Sequence, residues 1–327
     1  MALQDDWQTR NWRVGLLYPL SCLFRLIVWI RRLCYDIGLL RQVQLPVPVI
    51  IIGNVTVGGT GKTPLTIYLA NTLRDLGYHP GIISRGYKGT SKTWPRSVHK
   101  GSDPYEVGDE PVLLAQRTGC PVVVGPNRVA AAQLLLTEYP CDILLSDDGM
   151  QHYRLARTLE VAVLDAKRRL GNRLLLPAGP LREPPSRLDT ADFQIYNGVP
   201  ERPETEDYFT LVAEEAVNLG TEEKRPLTDF SEREVYAIAG IGHPPRFFDL
   251  LRQYGVMPQE RAFADHHYYR EADLMFDRKL PILMTEKDAV KCRDLADGNA
   301  WYVPVEVKLH GHFLDKLLAR LSDLGNK

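Results

Sequence analysis

The residues of this chain that are best suited to chemistry lie in a glycine-rich segment at residues 48–65, PVIIIGNVTVGGTGKTPL. Backbone N–H groups of such a loop, together with the N-terminus of the helix that follows, form a binding site for phosphate. The lysine of the loop reaches the β- and γ-phosphates, and the next hydroxyl coordinates Mg²⁺. Lys62, which we also expect to act in catalysis, and Thr63 stand at these positions. The residues predicted to bind the nucleotide are Thr56, Val57, Gly58, Gly59, Thr60, Gly61, Lys62 and Thr63.

The sequence on either side of this loop has the form that a phosphate-binding loop requires. Residues 49–52 are bulky and apolar, as in a buried strand, and residues 65–77 follow a helical pattern. The loop departs from the common pattern GxxxxGK[ST] because Thr56 replaces the first glycine. A glycine-rich hairpin with an incidental Lys-Thr pair is the alternative, but the flanking strand and helix favour nucleotide binding.

Acidic residues follow two further apolar runs. The first run leads to Asp147 and Asp148, an arrangement in which carboxylates organise Mg²⁺ beside the loop threonine. The second leads to Asp165, after which no motif follows, so we expect Asp165 to form a turn or a cap. Asp109 and Glu110 precede a helical pattern, and on spacing alone they are acids that complement the helix dipole.

These motifs need a scaffold of alternating strands and helices. Strands are predicted at residues 49–52, 82–84, 122–124, 141–146 and 161–165. Their alternation with helical patterns predicts an α/β fold of the P-loop NTPase type, a mostly parallel sheet with helices on both faces. Loops at the carboxyl ends of the strands would then gather Lys62, Asp109, Asp147 and Asp148 at one edge of the sheet.

Shifts in composition divide the chain of 327 residues into five segments. Residues 208–212 and 301–307 are apolar strands that we expect to pair as a stalk between two domains. The predicted segments are a membrane-associating helix (1–41), a P-loop kinase domain (42–200), a linker with a stalk strand (201–233), a smaller α/β domain (234–300), and a return strand with a C-terminal helix (301–327).

The apolar stretch from residue 11 to residue 40 predicts an N-terminal amphipathic helix that lies in a membrane surface. Arg25 interrupts it, and an arginine is costly at the centre of a bilayer. Helical spacing places Arg25, Arg32 and Asp36 on one side, and on the other Leu16, Leu23, Ile27, Ile30, Cys34 and Ile37. A helix packed on the protein's own core and a tilted membrane span are the alternatives.

The overall composition excludes several classes of protein. The chain has 40 basic and 41 acidic residues, so its net charge of −1 does not support nucleic-acid binding. The five cysteines form no CxxC pair, which favours buried thiols in a reducing compartment over disulfides or a zinc site. The proportions of hydrophobic (44%) and charged (25%) residues are those of a globular protein.

Nine short motifs, in order along the chain, together resemble the tetraacyldisaccharide 4′-kinase family of lipid A biosynthesis. They are GNVTVGGTGKTP (53–64), SRGYKG (84–89), VGDEP (107–111), GPNR (125–128), SDDGMQH (146–152), PAGPLREP (177–184), AGIGHPPRFF (239–248), FADHHYY (263–269) and TEKDAVK (285–291). This family carries Ser or Thr at the first-glycine position of the loop, so Thr56 agrees with it.

The resemblance implies a lipid kinase that uses ATP and Mg²⁺ to phosphorylate the 4′-hydroxyl of a tetraacylated glucosamine disaccharide 1-phosphate. It also implies location at the cytoplasmic face of the bacterial inner membrane, with this lipid A precursor and the membrane surface as partners and no protein partner. Asp109 would work with His266, although the sequence leaves the adjacent His267 open. The other implied residues are Asp147, Asp148 and Glu183 at Mg²⁺, with Arg128 and Arg182 near the phosphates.

A membrane-associated switch ATPase of the partitioning or targeting type is the competing hypothesis. That class needs a lysine directly before the paired glycines, where this chain has Val57. A third hypothesis, a structural protein with a degenerate nucleotide site, is disfavoured by the intact Lys62, Thr63 and Asp147. A kinase consumes ATP in proportion to phosphorylated lipid, whereas a switch hydrolyses ATP without a lipid acceptor.

Overall fold

The computed structural model describes residue 7, residues 12–295 and residues 298–325. A nine-stranded sheet forms its centre, in the order β15-β8-β7-β6-β1-β5-β2-β4-β3. Strands β4, β2, β5, β1, β6, β7 and β8 run parallel, and only the outermost strands β3 and β15 are antiparallel to their neighbours. The strands are β1 Val49–Gly53, β2 Pro80–Ser84, β3 Arg96–Val98, β4 Val122–Val124, β5 Ile143–Asp147, β6 Leu159–Asp165, β7 Phe193–Asn197, β8 Tyr208–Val212 and β15 Glu306–His310.

The apolar run of β1 shows why this sheet has helices on both faces. All five residues of β1 are buried. Because successive side chains of a strand point to opposite faces, Ile50 and Ile52 belong to one core cluster and Val49 and Ile51 to another. The predicted doubly covered, mostly parallel sheet is therefore confirmed. The helices are α1 Trp12–Asp36, α2 Lys62–Asp75, α3 Pro104–Val107, α4 Asp109–Thr118, α5 Arg128–Glu138, α6 Pro244–Gln253, α7 Glu271–Leu274, α8 Glu286–Cys292 and α9 Phe313–Gly325.

A second, six-stranded sheet has the order β10-β9-β14-β13-β11-β12. Strands β12, β11, β13 and β14 are parallel, while β9 and β10 complete one edge in antiparallel pairing. A separate apolar core that includes Phe247, Phe248 and Trp301 lies against this sheet. Its strands are β9 Glu215–Asn218, β10 Lys224–Pro226, β11 Glu234–Ala239, β12 Met257–Ala262, β13 Ile282–Thr285 and β14 Ala300–Val303.

Two predicted boundaries differ from the structure. The six-stranded sheet starts at Glu215, within the segment that was predicted to be a linker. The strand predicted at 301–307 is in fact two strands, because its first part belongs to β14 and its second part begins β15 in the other sheet. Strand β8 pairs with β15 along residues 208–212, but the pair extends the nine-stranded sheet and is not a separate stalk.

Helix α1 contacts loops and one core cluster beside the nine-stranded sheet and is otherwise mostly exposed. Val14 and Ser21 are its buried residues, and the Ser21 hydroxyl donates a hydrogen bond to the carbonyl oxygen of Leu175 at 2.7 Å. Large apolar side chains elsewhere on the helix are mostly exposed, for example Leu16 at 73% and Ile27 at 55%. This helix is also long and apolar enough to cross a membrane. The structure thus disfavours the alternative of a helix packed fully on the protein's own core.

Candidate active site

The loop between β1 and α2 has the geometry of a phosphate-binding turn. Gly58 and Gly61 have positive φ angles of 98° and 90°, and a Cβ atom on Gly61 would lie 2.3 Å from the Asn197 amide nitrogen. Only glycine fits such a position without strain. The Asn54 amide donates hydrogen bonds to the hydroxyls of Thr56 (3.3 Å) and Thr60 (3.2 Å). Thr56, at the first-glycine position, therefore fixes the shape of the loop from inside.

Three basic side chains converge on Asp148 at the end of β5. The Lys62 Nζ lies 3.6 Å from Oδ1 of Asp148, and the Arg182 guanidinium lies 3.1 Å from its Oδ2. Arg128 is buried and donates to the backbone carbonyl of Asp148 at 3.3 Å. Burial raises the pKa of the Asp148 carboxyl, but Lys62 and Arg182 outweigh it and lower that pKa to about 2. The ionised carboxylate of Asp148 therefore lies beside the loop among three cationic side chains.

Asp147 has the opposite electrostatic setting. It is 1% exposed, and the hydroxyls of Thr63 and Thr66 donate to its two carboxylate oxygens at 3.4 Å each. Burial, with a further contribution from the charge of Glu110, raises the pKa of Asp147 to about 7. Within the described part of the chain, no ammonium or guanidinium lies within 4 Å of this carboxylate. A divalent cation held by Asp147 and Thr63 would supply the missing positive charge, so these residues fit Mg²⁺.

Asp109 is the first residue of α4 and pairs with a histidine from the other sheet. The Nδ1 of His266 lies 2.8 Å and 3.0 Å from the two carboxylate oxygens of Asp109, across 157 positions of sequence. The Glu110 N–H also donates to Asp109 at 2.9 Å. Burial would raise the pKa of Asp109, but Lys287, His266 and Lys291 outweigh it and hold that pKa well below its usual range. Asp109 is therefore ionised and accepts a hydrogen bond. The donor is the N–H group at Nδ1 of His266.

The two adjacent histidines have different surroundings. His266 has a positive φ of 61°, an uncommon conformation for a residue with a side chain, and its ring lies edge-on to Tyr87. The Nε2 of His267 instead lies 3.0 Å from Asp273, and its ring stacks on Phe263. The strained turn at His266 is what directs only the first histidine toward Asp109.

Glu183 has partners of its own, different from those of Asp147 and Asp148. Its carboxylate accepts a hydrogen bond from the hydroxyl of Tyr153 and lies 3.4 Å from the guanidinium of Arg187. Tyr153 in turn contacts Tyr35 of α1, with the ring centroids 5.7 Å apart. The structure therefore places Glu183 in a buried ionic cluster beside α1, where burial raises its pKa. Glu183 also lines the cavity that Lys62 and Asp148 line, and its role as a magnesium ligand stays a prediction.

Asp165 forms the turn that the sequence predicted. Its Oδ1 accepts hydrogen bonds from the backbone N–H groups of Lys167 (3.0 Å) and Arg168 (2.9 Å). The Asp165 carboxylate also accepts a hydrogen bond of 2.9 Å from Arg246. Arg246 lies on α6, a helix that packs against the six-stranded sheet. This contact between the two sheets was not predicted.

Sequence reasoning also missed two lysines of α8 that lie near Asp109. Lys287 contacts Glu110 at 2.9 Å and His266 at 3.4 Å, and Lys291 lies 3.4 Å from Asp109. A detectable signal was their spacing of four residues in the TEKDAVK motif, which places two cations on one face of a helix.

One cavity of about 1250 Å³ joins these groups. The loop, Lys62, Asp148 and Arg182 line one part of it, and His266 and Lys287 line another. Phe24, Ile27, Val28 and Arg31 of α1 border the same space. A nucleotide bound at the loop and an acceptor lying along α1 would therefore meet in one chamber.

A phosphate-binding loop with its lysine and hydroxyl, acids at the end of the adjacent strand, and an Asp–His pair across the cavity define an ATP-dependent kinase with a P-loop fold. The family model of tetraacyldisaccharide-1-P 4′-kinase matches residues 14–322. The chain belongs to this family, which confirms the predicted family and the kinase activity in lipid A biosynthesis.

Similar proteins extend over nearly the whole chain. The tetraacyldisaccharide 4′-kinase of Nitrosococcus oceani is 50% identical over 321 residues, covering 98% of this chain and 94% of that protein. The tetraacyldisaccharide 4′-kinase of Actinobacillus succinogenes is 48% identical over 321 residues, covering 97% and 98%. A crystal structure of LpxK from Aquifex aeolicus, described as an "apo" form in complex with ATP, matches with a TM-score of 0.78. It is 33% identical and covers 94% of this chain and 98% of that one.

Proposed function

We propose that this kinase transfers the γ-phosphoryl group of ATP to the 4′-hydroxyl of a tetraacylated glucosamine disaccharide 1-phosphate, at the cytoplasmic face of the bacterial inner membrane. The observation that carries the proposal is the shared cavity, in which the phosphate loop, the exposed helix α1 and His266, the partner of Asp109, meet. An amphiphilic acceptor needs such a chamber, because its polar end must reach the nucleotide while its acyl chains stay in the membrane.

The phosphate half of the site consists of the loop, Lys62, Thr63, Asp147 and Asp148. Lys62 is held by Asp148 at 3.6 Å and is thereby directed along the loop. Thr63 and Asp147 are the residues that would hold Mg²⁺, and this ion neutralises the charge on the β- and γ-phosphates when it is bound. Arg128 and Arg182 add positive charge around Asp148, where the transferring phosphoryl group needs it.

The acceptor half of the site consists of Asp109 and His266. Phosphoryl transfer has a loose transition state, so the hydroxyl is positioned first and loses its proton late. Asp109 is ionised and strongly solvated by donors, so it orients the hydroxyl and accepts the proton as the new P–O bond forms. His266 Nδ1–H holds the carboxylate in place during this step. In a serine-protease triad the roles are reversed, because there the carboxylate holds the histidine in place.

Helix α1 would hold the protein at the membrane surface. Its exposed apolar side chains, for example Leu16, Leu23 and Ile27, provide the area that is buried in lipid, and its arginines attract anionic headgroups. Because Ile27 and Arg31 also border the cavity, lipid that enters along α1 arrives next to His266 and the phosphate loop.

A phosphate-transfer assay tests this function. Purified protein is incubated with γ-labelled ATP, Mg²⁺ and a tetraacyldisaccharide 1-phosphate in mixed micelles, and the product is analysed by mass spectrometry and NMR. We expect one added phosphate at the 4′-oxygen and one ADP for each phosphorylated lipid. ATP hydrolysis at the same rate without the acceptor would instead support a switch ATPase.

A further inference from the structure

A second basic residue from the six-stranded sheet lies directly behind Asp109. The Nζ of Lys291 is 3.4 Å from Oδ2 of Asp109, while His266 occupies the other side of the carboxylate at 2.8 Å from Oδ1. Both the Lys291 and the Asp109 side chains are at most 3% exposed. The two charges are therefore removed from water and attract each other strongly.

Lys291 is itself fixed by a second buried acid. Oδ1 of Asp288 lies 3.3 Å from its Nζ. The other oxygen of Asp288 accepts hydrogen bonds from the Gly240 N–H (2.9 Å) and the Thr285 hydroxyl (2.6 Å). The ring of Tyr269 closes the remaining side, with its centroid 5.1 Å from the ammonium. Asp288, Lys291 and Asp109 thus form a buried chain of alternating charge, which we call the charge chain.

Two members of the charge chain, Lys291 and Asp288, lie away from substrate. Their side chains are 2% and 0% exposed, and neither residue is among those that line the cavity for nucleotide and acceptor. Lys287 differs, because it lines that cavity and divides its charge between Glu110 and Asp265. Lys291 is therefore the cation that can act on Asp109 without contacting a ligand.

A buried carboxylate without a permanent cation turns toward other donors or takes up a proton. His266 lines the cavity and contacts Asp109 through its Nδ1 only. A cation fixed on the rear side of Asp109 adds to the charge of Lys287 and prevents the carboxylate from rotating away from the acceptor. Rigid support of this kind is what holds a reacting group in its productive geometry.

We propose that Lys291, held in place by Asp288, is a positioning residue for Asp109 in phosphoryl transfer. This inference rests on the proposed role of Asp109 toward the acceptor hydroxyl. It gives the TEKDAVK motif a function: the motif supplies the charge that fixes the proton acceptor from the opposite sheet.

The test is Lys291→Met in the full-length protein, assayed with ATP, Mg²⁺ and the disaccharide 1-phosphate. We expect kcat to fall about 10- to 100-fold, a part of the effect of a general base, while the KM for ATP changes less than about twofold. In an Asp109→Ala background, Lys291→Met should lower kcat no further, because residues that act as a unit are not additive. An equal fold-loss in both backgrounds, or a raised KM for ATP, would show a general structural role and overturn the proposal.

A second variant covers the case in which Lys291→Met does not fold because Asp288 is left without a partner. The pair Lys291→Met with Asp288→Asn removes both charges and keeps oxygen acceptors for Gly240 and Thr285. We expect this pair to unfold near the temperature of the unmodified protein and to remain slow in kcat. Recovery of kcat in the pair would overturn the proposal. Failure of the unmodified protein to phosphorylate the disaccharide would contradict the proposed function instead, so the two failures are distinguishable.

Discussion

The two halves of the active site are built in different ways. The phosphate half comes from one sheet, because β1 and β5 are parallel neighbours with Ile52 opposite Asp147, and the loop and both acids follow from that register. The acceptor half comes from two sheets, since Asp109 lies on α4 whereas His266 and Lys291 belong to the six-stranded sheet. The phosphate half is therefore complete within one sheet, and the acceptor half exists only where two sheets meet.

The halves also differ in electrostatics. Asp147 is buried with two hydroxyl donors, which leaves its pKa raised to about 7. Asp109 is equally buried but has a histidine and two lysines, which hold its pKa well below the usual range. The carboxylate of Asp147 needs a cation from solution, whereas the carboxylate of Asp109 already has cationic partners within the protein. This contrast gives each half a distinct response to mutation, to lipid and to pH.

The largest expected effect is at Lys62, in the phosphate half. Lys62→Ala should reduce turnover to the limit of detection, by on the order of 10³ or more, because a preorganised charge on the transferring phosphoryl group is lost. The change removes little packing, so the thermal unfolding temperature should stay within a few degrees. Near-normal phosphorylation by this variant would contradict the assignment of the loop.

The next largest effect is at Asp109 and His266, in the acceptor half. Asp109→Ala should lower kcat by about 10²–10⁴, with little change in the KM for ATP because the loop and Mg²⁺ site remain intact. The double variant with His266→Ala should be only slightly slower than the slower single variant. Multiplicative losses would show that the two residues do separate work. His267→Ala is the matched control, since His267 pairs with Asp273 and should leave kcat unchanged.

The sequence predicted the phosphate half more completely than the acceptor half, and the reason is the range of the contacts. A strand, a loop and a helix N-terminus are adjacent in sequence, so the roles proposed for Lys62 and Thr63 follow from local pattern. Lys291 has the spacing of an exposed helical lysine, and its burial comes from the packing of α8 against α4 and from the ring of Tyr269. The partners of Glu183, Tyr153 and Arg187, could not be predicted because they depend on how a loop folds back beside α1.

A smaller effect is expected at α1, which should serve the lipid and not the nucleotide. Replacement of Arg25, Arg31 and Arg32 by Gln should weaken binding to anionic vesicles about 10²-fold, since each basic residue near an anionic surface contributes about 1 kcal/mol. The KM for lipid should rise while the KM for ATP stays constant. The control replaces exposed arginines of the six-stranded sheet, Arg225, Arg252 and Arg278, by Gln. Unchanged vesicle binding would favour a helix held by insertion alone.

The smallest expected effect is a pH dependence confined to the phosphate half. A proton and Mg²⁺ compete for the carboxylate of Asp147, whose pKa is raised to about 7. The apparent affinity for Mg²⁺, measured from activity at limiting Mg²⁺, should therefore rise by up to about tenfold per pH unit below pH 7 and level off above it. Asp147→Asn removes the titrating group, so in that variant the residual activity should lose this dependence.

The titration of Asp147 also affects the stability of the fold, but in the opposite direction: affinity for Mg²⁺ rises with pH, whereas stability without Mg²⁺ falls. This pH dependence distinguishes the phosphate half from the acceptor half. A carboxyl whose pKa is higher in the folded than in the unfolded protein stabilises the fold at low pH, and that contribution declines as pH rises from about 4 to about 7. Without Mg²⁺, the unfolding temperature should therefore fall over this range relative to Asp147→Asn, and added Mg²⁺ should restore it above pH 7. Asp109 has a lowered pKa and stays ionised throughout, so kcat at saturating Mg²⁺ should not follow the same curve. If kcat at saturating Mg²⁺ titrates near pH 7 and His266→Ala abolishes that titration, the acceptor half carries the proton equilibrium and the contrast between the halves is wrong.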